Sequence, residues 1–285
     1  MIFKGKNVNL IFFISLLFFN LLSQSKAYAK SDTLVVITTS YGAITLKLYD
    51  DTPNHKQNFL KLAKSGFYDS LLFHRIISGF MIQGGDPDSK VADASQNLGN
   101  GDIGYTLTPE ILPTHIHKKG ALAAARQGDD VNPGKLSSGC QFYIVQGKKF
   151  SDLDMVTVES RMLSQLKQSI IWKYMSKPEN SKLKEQYTAH QQARNSDSLN
   201  AIIKQLQPIV EAELKNQKSH KFSDEEKRIY ATKGGSPHLD GNYTVFGEVV
   251  DGLDVIDRIA EVELVGNSRP KLDVRMKVSL QIVNN

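Results

Sequence analysis

The chain has 285 residues, of which 40% are apolar, enough to build a hydrophobic core in one large or two small domains. Its net charge of +5 falls to +2 once residues 1–29, with Lys4, Lys6 and Lys26 and no acidic residue, are set aside. This near balance argues against nucleic acid as a partner. The single cysteine, Cys140, excludes an internal disulfide.

The first 29 residues have the features of a secretory signal peptide. Lys4 and Lys6 precede an almost continuously apolar run over residues 8–22. Residues 27–29, Ala-Tyr-Ala, match the small-x-small pattern that signal peptidases recognise. A transmembrane anchor is the alternative, but the run is shorter than the roughly 20 residues that a spanning helix needs. We therefore expect an exported protein, periplasmic or secreted, without stable membrane insertion after cleavage.

Alternation of apolar and polar residues predicts a β-rich region after the signal peptide. Residues 33–39 and 43–49 flank a Ser-Tyr-Gly turn and predict a hairpin. A helix is predicted over residues 54–64, with Thr52 as its N-cap and Pro53 at its first position. Further strand-like runs occupy residues 71–77, 80–83, 120–125 and 141–146.

From about residue 151 the composition shifts to Lys, Glu, Gln, Leu and Ala, which predicts a helical insertion over residues 151–236. Pro178 and Pro208 are expected to break it into two or three helices, and Ser223 with Glu226 matches a capping box. The strand pattern then returns. It predicts a strand at 243–250, a helix at 252–260 and a last strand at 274–283. The predicted domains are thus the signal peptide, 1–29, a β-domain formed by 30–150 and 237–285, and the helical insertion.

Four motifs in the β-domain occur in a fixed order. They are FHRIISGFMIQGGD at residues 73–86, GALAAAR at 120–126, SGCQFYI at 138–144 and LDGNYTVFGEV at 239–249. Together they resemble the cyclophilin family of peptidyl-prolyl cis/trans isomerases, over roughly residues 32–147 and 238–283. The resemblance implies a mainly β fold: a closed eight-stranded antiparallel barrel capped by two helices, with the active site on its outer surface. The helical insertion is an addition to that fold.

The implied reaction needs no covalent chemistry. Rotation about a peptide bond crosses a barrier of about 18–20 kcal/mol, and X-Pro bonds exchange over roughly 10–100 s unaided. An enzyme needs only an apolar slot for the prolyl ring and a fixed donor that favours the twisted amide. We therefore expect no cofactor and no metal. The expected partners are proline-containing segments of unfolded or partly folded proteins.

The resemblance also implies the site residues. Arg75 matches the catalytic arginine, and Gln83 matches the residue that orients the substrate backbone and supports it. Tyr143, Tyr243 and His238 stand where other members have phenylalanine, histidine and tryptophan. For Arg126 only main-chain contacts are implied. The implied substrate-binding residues are Phe80, Met81, Ala125, Arg126, Gln141, Tyr143, His238, Leu239 and Tyr243.

The remaining histidine and cysteine patterns do not predict a further functional site. His115 and His117 suggest a metal pair, but no third ligand is evident, so a loop with two exposed histidines is preferred. Cys140 is interpreted as a small packed side chain rather than a nucleophile. The alternative function is a chaperone-like module whose helical insertion binds clients or docks on a partner. Arg75 and Gln83 favour the isomerase, because a pure binder does not need them.

Overall fold

The computed structural model describes residues 1, 32–216, 221–266 and 268–283. It divides into two units, residues 1–33 with 282–285 and residues 34–281, and the features that position the site lie in the second. The predicted signal peptide lies outside the described residues, except for residue 1. In the described ranges, no helix combines the length and the apolar character that crossing a membrane requires.

Twelve strands are found in the described part of the chain, and most are short. The strands are β1 (Asp32–Thr39), β2 (Gly42–Leu48), β3 (Arg75–Ile77), β4 (Met81–Gly84), β5 (Thr106–Leu107), β6 (Ala121–Ala124), β7 (Ser137–Ser138), β8 (Phe142–Val145), β9 (Val245–Asp251), β10 (Leu264–Val265), β11 (Arg269–Pro270) and β12 (Lys277–Val283). Eight of them form one sheet in the order β12-β1-β2-β9-β6-β8-β4-β3, and the pairs β5-β7 and β10-β11 form two small sheets. The ladders from β1 through to β3 are antiparallel.

The predicted closed barrel is not confirmed. β3 and β12 are the two edges of the sheet, and no ladder joins them in the ranges that the structure describes. β3 is only three residues long, so the edges meet instead through irregular segments that precede them. Phe73 N–H donates to the Val274 carbonyl at 2.9 Å, and Met276 N–H donates to the Leu71 carbonyl at 2.9 Å.

The sheet separates two clusters of buried side chains, because successive residues of a strand face opposite sides. Ile82, Ile144 and Leu122 lie opposite one another across β4, β8 and β6 and belong to the main core. Met81 and Tyr143, one residue away on the same strands, belong to a smaller cluster on the other face. This second face carries the candidate site.

Two helices cover the main core. Helix α1 (Pro53–Lys64) buries Phe59 and Leu62, and a second helix after β9 covers it further along the chain. Thr52 is the N-cap residue of α1 and Pro53 begins the helix, as predicted, but the Thr52 side chain makes no capping hydrogen bond. The Glu110 carboxylate takes that role by accepting from the N–H groups of residues 54 and 55. A carboxylate at a helix N-terminus satisfies free donors and favours the helix dipole.

The helical insertion contains four helices in its described residues, not two or three. They are α2 (Asp152–Met175), α3 (Ser181–Gln192), α4 (Ser196–Asn216) and α5 (Asp224–Thr232), and the helix after β9 is α6 (Leu253–Ala260). Pro208 lies inside α4 without ending it, because Leu206 and Val210 continue one apolar face into a buried cluster with α2. Ser223 and Glu226 form the predicted capping box of α5.

Candidate active site

The register of the sheet places the key side chains in one row. Arg75 on β3 is paired with Gln83 on β4, which is paired with Tyr143 on β8. Tyr143 is in turn paired with Ala123 on β6. Directly paired residues point to the same face of a sheet, so four short strands bring a cation, an amide and an aromatic ring side by side. Three of the sequence motifs therefore converge on one surface.

A groove with a cavity volume of about 300 Å³ lies over this row, at the small end of the range for ligand pockets. Met81 and Leu239 are buried in its floor, and Phe80 is half-buried. The groove is lined by Arg75, Phe80, Met81, Gln83, Leu98, Gly99, Asn100, Ala125, Arg126, Tyr143, Leu239 and Tyr243. One wall is therefore apolar, while Arg75 and Gln83 form a polar edge.

A chain of side-chain amides holds the exposed arginine at this edge. Arg75 Nη1 donates to Gln83 Oε1 at 3.1 Å, and Gln83 Nε2 donates to Gln141 Oε1 at 3.1 Å. The Gln141 amide ends the chain by donating to the carbonyls of Gly99 and Gly101, at 3.0 and 2.8 Å. Gln141 is buried, so its position is fixed, and it fixes Gln83. Gln141 does not line the groove; it supports Gln83, which does.

Two predicted residues differ from expectation, Arg126 in what its side chain does and His238 in its position. The Arg126 side chain is only 5% exposed, and its guanidinium carbon lies 4.4 Å from the centre of the Tyr243 ring. Its Nε also donates to the Asn242 carbonyl at 2.9 Å. The side chain therefore holds Tyr243 in the wall, beyond the main-chain contacts expected for it. His238 is exposed and lies outside the lining, with its ring centre 5.3 Å from that of Phe80.

Comparison with known proteins identifies the family. The model of the family "Cyclophilin type peptidyl-prolyl cis-trans isomerase/CLD" matches residues 34–168 and 213–279. Relatives named as peptidyl-prolyl cis-trans isomerases from Staphylococcus aureus (strain USA300) and Staphylococcus epidermidis (strain ATCC 12228) are each 30% identical over 251 residues. The alignment covers 88% of this chain and 92% of each relative.

The chain belongs to the cyclophilin-type peptidyl-prolyl cis/trans isomerases.

A solved structure has the same fold. The crystal structure of a cyclophilin-type peptidyl-prolyl cis-trans isomerase from Cryptosporidium parvum aligns with a TM-score of 0.50 and 20% identity. It covers 90% of this chain and 99% of the other. The family match omits residues 169–212, which contain the end of α2, all of α3 and most of α4. That part of the helical insertion therefore lies outside the family pattern.

The structure adds groove residues that the sequence did not indicate. They are Leu98, Gly99 and Asn100, which also line the groove. Their loop is held by the Gln141 amide and by the buried carboxylate of Asp86, which accepts a hydrogen bond from Gly99 N–H. The Gly- and Asn-rich composition of this segment in the sequence is typical of a loop. Its place over the groove depends on contacts with residues 13 and 42 positions away and could not be inferred from spacing.

The expected loop with two exposed histidines is wrong. His117 is completely buried, and His115 Nε2 lies 2.8 Å from the Asp51 carboxylate. Both rings are held by carboxylates, because the segment between β5 and β6 folds back against the β-domain. Among the described residues, no group of three or more His, Cys, Asp or Glu side chains could hold a metal ion. Cys140 is buried, and burial raises the pKa of its thiol to about 11, as for a packed side chain.

Gln141 provides a test of the amide chain. Replacing it by leucine is expected to lower kcat/KM for an X-Pro peptide about tenfold, because Gln83 loses its anchor and the loop carbonyls lose a donor. The unfolding free energy should fall by about 1–3 kcal/mol. Gln191→Leu, at an exposed glutamine of α3, is the control and should retain full activity. Unchanged kcat/KM in Gln141→Leu would show that Gln83 and Arg75 do not depend on this chain.

His74 predicts a pH dependence of stability. It is 4% exposed, and burial lowers the pKa of its ring to about 4. Since the unfolded chain binds the proton near pH 6.5, this contribution to stability is complete above that pH and is lost as the pH falls toward 4. Between pH 7 and pH 4.5, wild type should lose about 2–3 kcal/mol more than His74→Leu in urea unfolding. Equal losses in the two proteins would contradict this assignment.

Proposed function

We propose that this cyclophilin accelerates X-Pro isomerisation in exported proteins by binding the twisted amide without any covalent step. The observation that carries the proposal is the position of the Arg75 guanidinium, held by Gln83 at the edge of the groove that Phe80 and Met81 line. A prolyl ring in the apolar part of the groove would bring its amide nitrogen to that edge. An apolar slot and a fixed donor are what the reaction requires.

Arg75 is proposed to act on the nitrogen as it leaves conjugation. When the C–N bond twists, the nitrogen becomes pyramidal and can accept a hydrogen bond, which it cannot do in the planar amide. The guanidinium stays protonated throughout and transfers no proton. Raising the rate from tens of seconds to milliseconds requires about 5.5 kcal/mol, and one preorganised donor supplies about 2.7–4 kcal/mol of such stabilisation. Binding of the prolyl ring in the groove would supply the rest.

The activity itself is tested on the purified chain without residues 1–29. NMR exchange spectroscopy on a synthetic X-Pro peptide should show a cis/trans exchange rate at least 100-fold above the uncatalysed rate. An exchange rate equal to that of peptide alone would overturn the proposal. The same spectra detect peptide binding separately, so they distinguish a catalyst from a protein that only binds.

The proposed export is tested on the full-length chain expressed in bacteria. N-terminal sequencing of the product should begin at residue 30, and fractionation should find it outside the cytoplasm. The support for this step is the basic, apolar and small-residue pattern of residues 1–29. Ala29→Arg is the matched variant, because it removes the small residue at the cleavage point. An unprocessed, cytoplasmic wild-type product would contradict the proposal.

A further inference from the structure

Four buried side chains form a continuous hydrogen-bonded series, the buried relay, that runs from the groove into the helical insertion. Tyr143 in the groove floor has its hydroxyl 3.0 Å from His117 Nε2. His117 Nδ1 lies 2.7 Å from Asp240 Oδ1. The hydroxyl of Tyr230, on α5, donates to Asp240 Oδ2 at 2.5 Å. The four residues are between 0 and 5% exposed.

The hydrogen-bond donors and acceptors of the relay can be assigned consistently. Asp240 Oδ1 accepts from both the backbone N–H and the ring of His117, which assigns the ring proton to Nδ1. In the neutral ring Nε2 is then an acceptor, to which the Tyr143 hydroxyl donates. Burial raises the pKa of both Tyr143 and Tyr230 well above 10, so both hydroxyls remain protonated donors. Fully satisfied buried networks of this kind fix side-chain positions.

The relay joins the two parts of the chain at the groove. Tyr230 packs in a cluster with Phe150, Met155 and Phe222, which spans the junction between the β-domain and the helical insertion. At the other end, the Tyr143 ring lines the groove, and Leu239, which precedes Asp240, lines it too. A shift of α5 would therefore be transmitted to the groove floor through three hydrogen bonds.

We propose that Tyr230 is a positioning residue for isomerisation: through Asp240 and His117 it fixes the Tyr143 ring on which the substrate prolyl ring rests. The helical insertion is in this way a part of the active-site support and not only an appendage. The inference rests on the proposed function, because it assumes that the prolyl ring occupies the groove beside Arg75. A tyrosine fits position 143 because its hydroxyl bonds His117 beneath the groove floor. The Tyr143 ring remains free to face the substrate.

The test removes one oxygen atom. Tyr230→Phe retains the ring that packs against Phe150 and Phe222, and it leaves Asp240 Oδ2 without that donor. We expect KM for an X-Pro peptide to rise about fivefold with kcat changed less than twofold, because the floor of the groove loses order while Arg75 is untouched. KM within twofold of wild type would overturn the proposal.

A matched control separates positioning from general destabilisation. Tyr68 is equally buried, and its hydroxyl donates to the Cys140 carbonyl at 3.3 Å, away from the relay. Tyr68→Phe is expected to lower the melting temperature as Tyr230→Phe does, with KM unchanged. If Tyr68→Phe raises KM as much as Tyr230→Phe, the effect follows from stability and the proposal fails.

A double-mutant cycle tests the route. In a Tyr143→Phe background the relay no longer reaches the groove, so adding Tyr230→Phe should change KM less than twofold. A further fivefold rise in that background would overturn the route through His117. Arg75→Ala distinguishes the two proposals: if it retains wild-type activity, the proposed function fails, whatever Tyr230→Phe does.

An NMR titration of the wild-type chain tests the proposal without a substitution, so its result does not depend on whether a variant folds. Addition of an X-Pro peptide should shift the ring resonances of His117 and Tyr230, while those of Tyr68 remain in place. Absence of a shift at Tyr230 under saturating peptide would overturn the proposal.

Discussion

Arg75→Ala is expected to lower kcat/KM for an X-Pro peptide about 100- to 1,000-fold. Removal of a single preorganised donor that acts on the transition state has effects of about this size in other enzymes. The loss should appear mainly in kcat, because the planar ground-state amide nitrogen accepts no hydrogen bond and peptide binding relies on the groove. Protease-coupled and NMR exchange assays measure it directly.

The same substitution should leave the fold intact. Arg75 is exposed, and its guanidinium donates a hydrogen bond to the Gln83 side chain. The unfolding free energy should therefore change by less than about 0.5 kcal/mol. Arg228→Ala is the matched control, an exposed arginine of α5 that pairs with Glu225, and it should keep full activity. Activity of Arg75→Ala within threefold of wild type would remove the arginine from the mechanism.

Gly85→Ala is expected to have the largest effect on stability, about 3 kcal/mol or more. Gly85 follows β4 with φ +93°, a conformation that costs other residues about 1–2 kcal/mol. An added Cβ would overlap the Cys140 carbonyl oxygen and lie 3.0 Å from the Gln141 Cα, and neither backbone atom can move cheaply. Overpacking of this kind adds about 1–3 kcal/mol. Displacement of Gln141 should also lower kcat/KM in whatever protein folds.

Gly79→Ala separates the collision from the backbone strain. Gly79 has φ +72°, but an added Cβ would meet no atom within 4 Å. Urea unfolding should therefore show a loss of only about 1–2 kcal/mol. If both variants lose the same free energy, the close contact between residue 85 and residues 140–141 is not what makes glycine necessary there.

The resemblance of four motifs to the cyclophilin family was sufficient to predict the fold family and most of the groove residues. The motif at residues 73–86 encodes a short strand, a turn and a second strand, and the β3–β4 register that pairs Arg75 with Gln83 follows from that local spacing. The resemblance named Met81 and Tyr143 as substrate-binding residues, and the structure has both on one face of the sheet. The β3–β4 register depends on neighbours within about ten residues, so one sequence can show it.

Features that depend on distant pairing were predicted less well. The closed barrel requires a ladder between β3 and β12, about 200 residues apart, and in the described chain the edges are joined only through their flanking segments. Capping at the start of α1 is a second case: Thr52 is the N-cap residue, but Glu110, from another part of the chain, supplies the acceptor in place of its side chain.

By itself, the sequence determined which side chains could form the site and the alternation of the short strands around Arg75, Phe80 and Met81. Alternation follows from the sequence because it depends on backbone geometry over a few residues. Only the tertiary structure decided that His117 lies buried between Tyr143 and Asp240, and that Tyr230 of the helical insertion completes the series. The physical reason is that a buried polar group must find its partner wherever the packed chain brings one, and the intervals here range from 10 to 123 residues.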